Sequence, residues 1–189
     1  MSSTPRLVPL PREQWSDETV AALRLGFPQA ADALLDRDGP LPNVLTTLLH
    51  NPALMGPFLA FNQVMLQEPA LGHRARELIV LRVAHRTGCA YEWAQHVRIA
   101  RRLGITRDEI DAVTRGTGNW SALEADVLAA TDQCIDNYCV DDDTWKRLAD
   151  ELDERQLVEL VFIAGTYTCL AMAFNSFGLQ LDADLQSED

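Results

Sequence analysis

Residues 76–110 read RELIVLRVAHRTGCAYEWAQHVRIARRLGITRDEI, and this stretch decides the fold. Apolar residues recur at helical spacing on both sides of Gly88, which breaks the pattern. The part before Gly88 is apolar on most sides, as is typical of a helix buried in a bundle. Thr106 and Glu109 form a capping-box pattern that predicts the start of a further helix. The sequence therefore predicts consecutive helices here, the first of them buried.

The rest of the chain shows the same kind of pattern. Helical periodicity recurs from Pro40 to Pro69 and from Ser121 to Gly178, and no long segment alternates with a period of two. The predicted fold class is all-α, a helical bundle of roughly eight helices. We predict an N-terminal arm with short helices over residues 1–39, which includes a helix capped by Ser16, and a single helical domain over residues 40–189.

An internal sequence similarity bears on whether part of this bundle is duplicated. RELIVLRVA, from Arg76, and RQLVELVFI, from Arg155, are offset by 79 residues, and the same offset sets His96 against Asn175. Two related helical units would explain this internal similarity, and so would the chance similarity of short apolar helices. The sequence leaves both explanations open.

Charge and composition exclude several classes of function. The chain of 189 residues has 16 basic and 28 acidic side chains, and its net charge of -12 repels phosphate backbones and anionic membranes. No stretch approaches the roughly 18 consecutive apolar residues of a membrane span, and no signal peptide is evident. The four cysteines are too few and too scattered for a disulfide-rich secreted protein. We expect a cytoplasmic protein that binds neither nucleic acid nor membranes.

Four polar or reactive residues lie in this apolar surround: Glu77, Cys89, Glu92 and His96. Glu92 and His96 are four apart, and Cys89 shares their helix face near the N-terminus, where the helix dipole favours a thiolate. If the two helices pack antiparallel, Glu77 approaches the same point. A carboxylate beside an imidazole suits proton transfer near neutral pH. The alternative is that Glu92 and His96 form an ordinary solvent-exposed pair, which stabilises the helix by about 0.2–0.5 kcal/mol.

The block Arg76–Ile110, with PLPNVLTTLLHNPAL before it, resembles the carboxymuconolactone decarboxylase and AhpD-like superfamily. The resemblance implies an AhpD-like helical bundle that forms a homo-oligomer, a dimer, trimer or hexamer. In AhpD-like peroxidases the motif is a Glu, a Cys-x-x-Cys, and a His four residues after the second Cys. This sequence supplies Glu77, Cys89 and His96 but has Glu92 at the second cysteine. A dithiol cycle therefore cannot run within the motif.

The pattern E-x-x-x-H of Glu92 and His96 is similar to the decarboxylase branch, which acts on a lactone acid without a cofactor. Our first hypothesis is thus a cofactor-free lyase or isomerase of a small carbonyl or lactone acid, with no metal. The first alternative is a thiol peroxidase that uses Cys89, although nothing in the sequence places Cys134 or Cys139 beside that residue. The second alternative is a non-enzymatic oligomeric binding protein.

Each candidate residue has a predicted role under the first hypothesis. His96 is the general base or acid, Glu92 orients and charges it, and Glu77 shuttles the second proton. Arg82 or Arg98 attracts a substrate carboxylate. The residues Tyr91, Tyr167 and Asn175 are predicted to contact the substrate. Trp93 is predicted to pack in the core or between subunits, and the apolar end Phe174–Phe177 to pack between subunits.

Overall fold

A computed structural model describes residues 4–185 of the chain. In that range the structure consists of α-helices, one short 3-10 helix at Arg12–Gln14 and connecting loops, without a β-strand. The all-α fold class is confirmed. The helices are α1 Asp17–Gly26, α2 Ala31–Leu35, α3 Asn43–Leu48, α4 Pro52–Gln67, α5 His73–Thr87, α6 Ala90–Arg102, α7 Arg107–Arg115, α8 Ala122–Asn137, α9 Asp142–Glu151 and α10 Glu154–Phe177.

Local signals account for where several helices begin. Ser16 caps α1, and Thr106 caps α7 with Glu109 reaching back to the Thr106 backbone N–H at 2.7 Å. Ser121 and Glu124 do the same for α8. Each box satisfies backbone donors that a helix start leaves without partners. The predicted caps at Ser16 and Thr106 are confirmed.

One compact unit comprises Met1–Gln67 with Ser176–Asp189. In it α1 lies against α4, and Gly56 makes this possible because a Cβ at that position would lie 3.1 Å from the Cα of Ala22. The unit contains the predicted arm, residues 1–39, together with the first part of the predicted helical domain. The predicted domain boundary at residue 40 stays a prediction.

The second compact unit is Glu68–Asn175, and α5 is its central helix. Every residue of α5 from Arg76 to Ala84 is buried, and α6, α7 and α8 pack around it. Leu78 and Leu81 of this helix share an apolar cluster with Val113 of α7 and Leu128 of α8. The predicted burial of the helix before Gly88 is therefore confirmed, and this unit holds all four residues of the predicted constellation.

Helix α10 differs from expectation in one respect. By length and composition it is long and apolar enough to cross a membrane, which a count of consecutive apolar residues did not predict. Half of its most apolar window is buried inside the fold, as in the core helices of soluble proteins. A single helix of this kind is weak evidence for a membrane span.

The two segments of the internal similarity have different local structures. The first copy is divided by Gly88 into α5 and α6, whereas the equivalent position of the second copy, Tyr167, lies inside the continuous helix α10. Any common origin of the two segments has therefore not preserved the turn between the helices.

Candidate active site

The turn at Gly88 positions the candidate site. Gly88 ends α5 in the left-handed conformation with φ 63°, which glycine adopts at little cost. The backbone N–H of Cys89 then donates to the Ala84 carbonyl at 2.9 Å, closing a helix-ending motif. Because α6 packs back on α5 after this reversal, residues well before Gly88 meet residues well after it.

One contact between these two parts of the chain joins Glu77 to His96. Nδ1 of His96 lies 2.7 Å from Oε2 of Glu77, whose side chain is completely buried. The other carboxylate oxygen, Oε1, accepts a hydrogen bond from Nε of Arg76 at 2.8 Å. Burial acts to raise the pKa of Glu77, but the hydrogen bonds and charges of His96 and Arg76 outweigh burial and lower it. Glu77 is therefore an ionised acceptor held between two donors.

This arrangement selects one form of the histidine ring. An ionised carboxylate only accepts hydrogen bonds, so Nδ1 of His96 carries the proton that is shared with Glu77. In the neutral ring the lone pair is then on Nε2, which becomes the basic nitrogen. The pair thus has the geometry of a general base held in place by a carboxylate.

Glu92 has the opposite environment. Its side chain is buried, with 2% of the residue exposed, and neither carboxyl oxygen accepts a hydrogen bond from a nitrogen or oxygen donor among the described residues. Burial raises the pKa of Glu92 to about 8, and the neighbouring Cys89 thiol, a weak donor, offsets only part of this effect. Glu92 is consequently a neutral acid at pH 7 with a proton to give.

Cys89 precedes the first residue of α6, yet it is not a thiolate there. Burial raises its pKa to about 12, and the charge that Glu92 acquires at alkaline pH adds to the effect. The backbone N–H groups of Tyr91 and Glu92 act in the other direction and are outweighed. The expectation that the helix dipole favours a thiolate at this position is therefore not met.

Tyr167 of α10 packs against the imidazole of the site. Its ring packs edge-on against the His96 ring, with centroids 5.1 Å apart. Burial raises the pKa of the Tyr167 hydroxyl, and the charges of Glu77 and Glu92 raise it further. Both carboxyl groups consequently lie near this hydroxyl. The structure thus places Tyr167 beside the acid and base residues, and its contact with a substrate stays a prediction.

The structure changes two of the predicted roles. Glu92 was expected to orient His96, but Glu77 makes that contact, because the α5–α6 turn brings Glu77 against the imidazole. The sequence reasoning also missed Arg76, which is buried and ion-paired with Glu77. The available signal was a charged pair, Arg76–Glu77, at the head of an otherwise apolar run.

Two of the predicted substrate contacts are engaged in packing or capping. The Tyr91 ring lies against Phe174 with centroids 5.6 Å apart, and the Tyr91 hydroxyl accepts a hydrogen bond from Gln95 at 3.2 Å. The Asn175 side-chain amide donates to the Thr87 carbonyl at 3.0 Å, satisfying the end of α5. These contacts give Tyr91 and Asn175 structural roles in place of the predicted ones.

The two arginines proposed to attract a substrate differ in their surroundings. Arg82 donates to both carboxylate oxygens of Asp132 at 2.7 Å and to the Val113 carbonyl at 2.6 Å. Its guanidinium is therefore committed to the packing of α5 with α7 and α8, which corrects the predicted role. Arg98 is half-buried on α6, and its part in substrate binding stays a prediction.

A hollow of about 390 Å³ opens to solvent beside Cys89. It is lined by Ala84, His85, Gly88, Cys89, Ala90, Trp93 and Thr114. Trp93, predicted to lie in the core or between subunits, packs against the apolar cluster of its own chain and forms one wall of the hollow. The hollow gives solvent and small molecules a path towards the buried thiol.

Potential metal ligands do not cluster in the part of the chain that the structure describes. No group of three or more His, Cys, Asp or Glu side chains within residues 4–185 is placed to hold an ion. The expectation of a metal-free and cofactor-free site stays a prediction.

The site lies within the part of the chain that matches a known family. Residues 52–133 match the sequence model of the carboxymuconolactone decarboxylase family, and this range contains the whole constellation from Glu77 to His96. A 53-residue segment is 42% identical to uncharacterized protein 4 in the cox locus of Paracoccus denitrificans. That match covers 28% of this chain, and it spans about half, 48%, of the relative.

Solved structures share the fold over much more of the chain. An alkylhydroperoxidase AhpD core protein from Ralstonia eutropha JMP134, described as peroxidase-related, has a TM-score of 0.75 at 21% identity and covers 95% of this chain and 93% of its own. The debrominase Bmp8, solved as a cysteine-to-alanine variant with 2,3,4-tribromopyrrole, has a TM-score of 0.72 at 18% identity and covers 99% and 97%. A protein of Agrobacterium tumefaciens, described as a putative antioxidant defence protein AhpD, has a TM-score of 0.64 at 21% identity and covers 71% and 94%.

The fold and site define an all-α protein with a buried acid–base cluster between antiparallel helices. Residues 52–133 match the carboxymuconolactone decarboxylase family, and the fold is shared with the AhpD core protein. Solved proteins with this fold include a peroxidase-related protein and a debrominase, so the fold alone does not define a reaction.

Proposed function

We propose that this chain is a cofactor-free enzyme that transfers protons, a lyase or isomerase acting on a small carbonyl or lactone acid. The observation that carries the proposal is the opposite protonation of two buried carboxyl groups, the ionised Glu77 on His96 and the neutral Glu92. Environments that push the pKa values of neighbouring groups apart are a feature of acid–base sites.

In the proposed isomerisation, Nε2 of His96 removes a proton from a carbon next to the carbonyl group, and the electron pair moves towards the carbonyl oxygen. Glu77 stabilises the imidazolium that forms, through the bond to Nδ1. In a substrate with a C=C bond on the far side of that deprotonated carbon, Glu92 gives its proton to the distal carbon of the C=C bond while the electron pair returns from the oxygen, which moves the double bond into conjugation with the carbonyl group. Transfer of the first proton from His96 to Glu92 through solvent restores the site.

The charge pattern bears on the substrate. We assign recognition of a substrate acid group to Arg98, which is half-buried on the same helix as His96. The reacting part of the substrate meets neutral Glu92, which favours an uncharged carbonyl over a second carboxylate. The complex of the debrominase with 2,3,4-tribromopyrrole supports a small cyclic organic molecule as the ligand of this fold.

Thiol peroxidase activity at Cys89 is the alternative that the site supports less well. Peroxide reduction requires a thiolate, and burial keeps Cys89 as a thiol. A non-enzymatic binding protein is the third hypothesis, and it predicts a ligand that is bound without being changed.

The experiment is proton exchange in deuterium oxide, followed by NMR, on a panel of small carbonyl and lactone acids. We expect His96→Ala to reduce the rate on the active substrate by about 10²–10⁴-fold, and Cys89→Ser to retain most of it. Glu151→Gln is a matched control, since Glu151 is an exposed carboxylate at the end of α9. Loss of exchange in Cys89→Ser with retention in His96→Ala would favour thiol chemistry.

A further inference from the structure

Cys134 and Cys139 lie at the C-terminal end of α8 and take no part in the acid–base site. Cys134 is partly buried on the last turn of the helix, and Cys139 is exposed beyond it. Between them Tyr138 has φ 60° and ψ 18°, and within residues 4–185 it is the one residue other than glycine with a positive φ. A left-handed tyrosine that is 91% exposed is unusual enough to need an explanation.

The conformation of Tyr138 reverses the chain between the two cysteines. A left-handed residue directly after a helix turns the chain back at the helix end. Cys139 follows this residue, and Cys134 lies in the last turn of α8, five positions before Cys139. A disulfide joins residues whose Cα atoms are about 4.4–6.8 Å apart, a separation that one chain reversal over five residues can reach.

A second contact holds the turn in place. The side-chain amide of Gln133 donates to Oδ2 of Asp141 at 2.7 Å, and its oxygen accepts the Asp141 backbone N–H at 2.9 Å. Residues on both sides of the cysteine pair are thereby tied to each other. Burial raises the pKa of Cys134, and the charge of Cys139 raises it further.

We propose that Cys134 and Cys139 form a second thiol site, which a hydroperoxide oxidises to an intramolecular disulfide across the end of α8. The site is separate from Cys89 and independent of the proposed acid–base activity. Cys139 reacts first because it is the exposed member of the pair.

The two steps balance with hydrogen peroxide as the oxidant. The Cys139 thiolate attacks one peroxide oxygen, the O–O bond breaks, and Cys139 becomes a sulfenic acid while the other oxygen takes up a proton and leaves as water. The Cys134 sulfur then displaces the hydroxyl group from the Cys139 sulfur, forming the S–S bond and a second water. The two thiols lose two electrons and two protons in total, and the peroxide is reduced to water.

The test uses the full chain, reduced and then treated with hydrogen peroxide. Trypsin releases a peptide from Gly116 to Lys146 that contains Cys134 and Cys139 and no other cysteine. We expect this peptide to become lighter by the mass of two hydrogen atoms. After chymotryptic cleavage at Tyr138 the two halves should stay joined until dithiothreitol is added.

Two cysteines five residues apart can also pair in an unfolded chain, so the fold's contribution is measured separately. In glutathione redox buffers we expect the equilibrium constant for the disulfide to be at least about tenfold larger in the native chain than in urea. Cys169→Ser, which removes an exposed cysteine elsewhere, should leave this constant unchanged, and Cys134→Ser should leave Cys139 as a trappable sulfenic acid. An equal or smaller constant in the native chain, or pairing of Cys139 with Cys169, would overturn the proposal.

Discussion

His96 is hydrogen-bonded to Glu77, 19 residues earlier in the chain, at 2.7 Å, whereas Glu92, one turn earlier on the same helix as His96, accepts no hydrogen bond from a nitrogen or oxygen atom within the described part of the chain. The two carboxyl groups are both buried, yet their pKa values are shifted in opposite directions. Hydrogen bonds and positive charge act on Glu77, while little except burial acts on Glu92. The same substitution should therefore have opposite consequences at the two positions.

Glu77→Gln should destabilise the protein. It leaves the buried Arg76 guanidinium without its counter-charge, and breaking a buried ion pair on one side costs about 3–5 kcal/mol. Urea unfolding at pH 7, followed by circular dichroism, measures this change. A loss below about 1 kcal/mol would show that Arg76 and Glu77 are not a buried pair in solution.

Glu92→Gln should stabilise the protein at alkaline pH. The folded-state pKa of about 8 lies above the ordinary value of 4.5, so the folded state holds the proton more tightly than the unfolded state between these two values. The free energy of unfolding should therefore fall as pH rises through this window, by about 1.4 kcal/mol per pH unit at most. The amide of the variant has no charge to bury, so the variant should lose this slope.

Stability curves at pH 5 to 9 for the wild type and Glu92→Gln test that expectation. Glu77 does not mask the slope, because its lowered pKa affects stability only at acid pH, below its ordinary value of 4.5. Glu151→Gln serves as the control for removing one negative charge from the surface. Parallel curves for the wild type and Glu92→Gln would mean that Glu92 is already ionised at neutral pH.

Cys89 should be slow to react. A pKa raised from 9.0 to about 12 lowers the thiolate fraction at neutral pH by about 1,000-fold, and the side chain is almost fully buried as well. Alkylation of the reduced protein by iodoacetamide at pH 7.5, read by mass spectrometry, should label exposed Cys139 long before Cys89. Labelling of both residues at the same rate would favour the thiol peroxidase alternative.

We expect the protein to self-associate through α10. Val158, Phe162 and Met172 are exposed on this helix, whereas Phe174, which the sequence analysis placed between subunits, is buried in its own chain. Phe162→Lys should lower the mass measured by sedimentation at micromolar concentration, and Val8→Lys, at another exposed apolar position, should not. A monomeric wild-type protein would contradict self-association.

The features that the sequence predicted well are local. The Thr106–Glu109 box and the break at Gly88 depend on residues within one turn, and both occur as expected. The predicted helix face shared by Glu92 and His96 is also buried, since spacing along one helix determines it.

What the sequence did not predict depends on contacts between helices. The pairing of His96 with Glu77 follows from how α6 packs on α5, and Arg82 is occupied by Asp132, 50 residues away. The protonation of Glu92 follows from the depth of its burial and from the lack of a strong hydrogen-bond donor beside it among the described residues. None of these is encoded in a spacing along the chain.

The central claim is that Glu92 is a neutral acid beside an ionised Glu77. Carbon-13 NMR of protein labelled at the glutamate carboxyl groups measures it directly, with Glu92→Gln used to assign the resonance. The account predicts that the Glu92 carboxyl titrates with a midpoint near pH 8. A midpoint near the ordinary value of 4.5 would contradict the account, because Glu92 would then have no proton to donate at neutral pH.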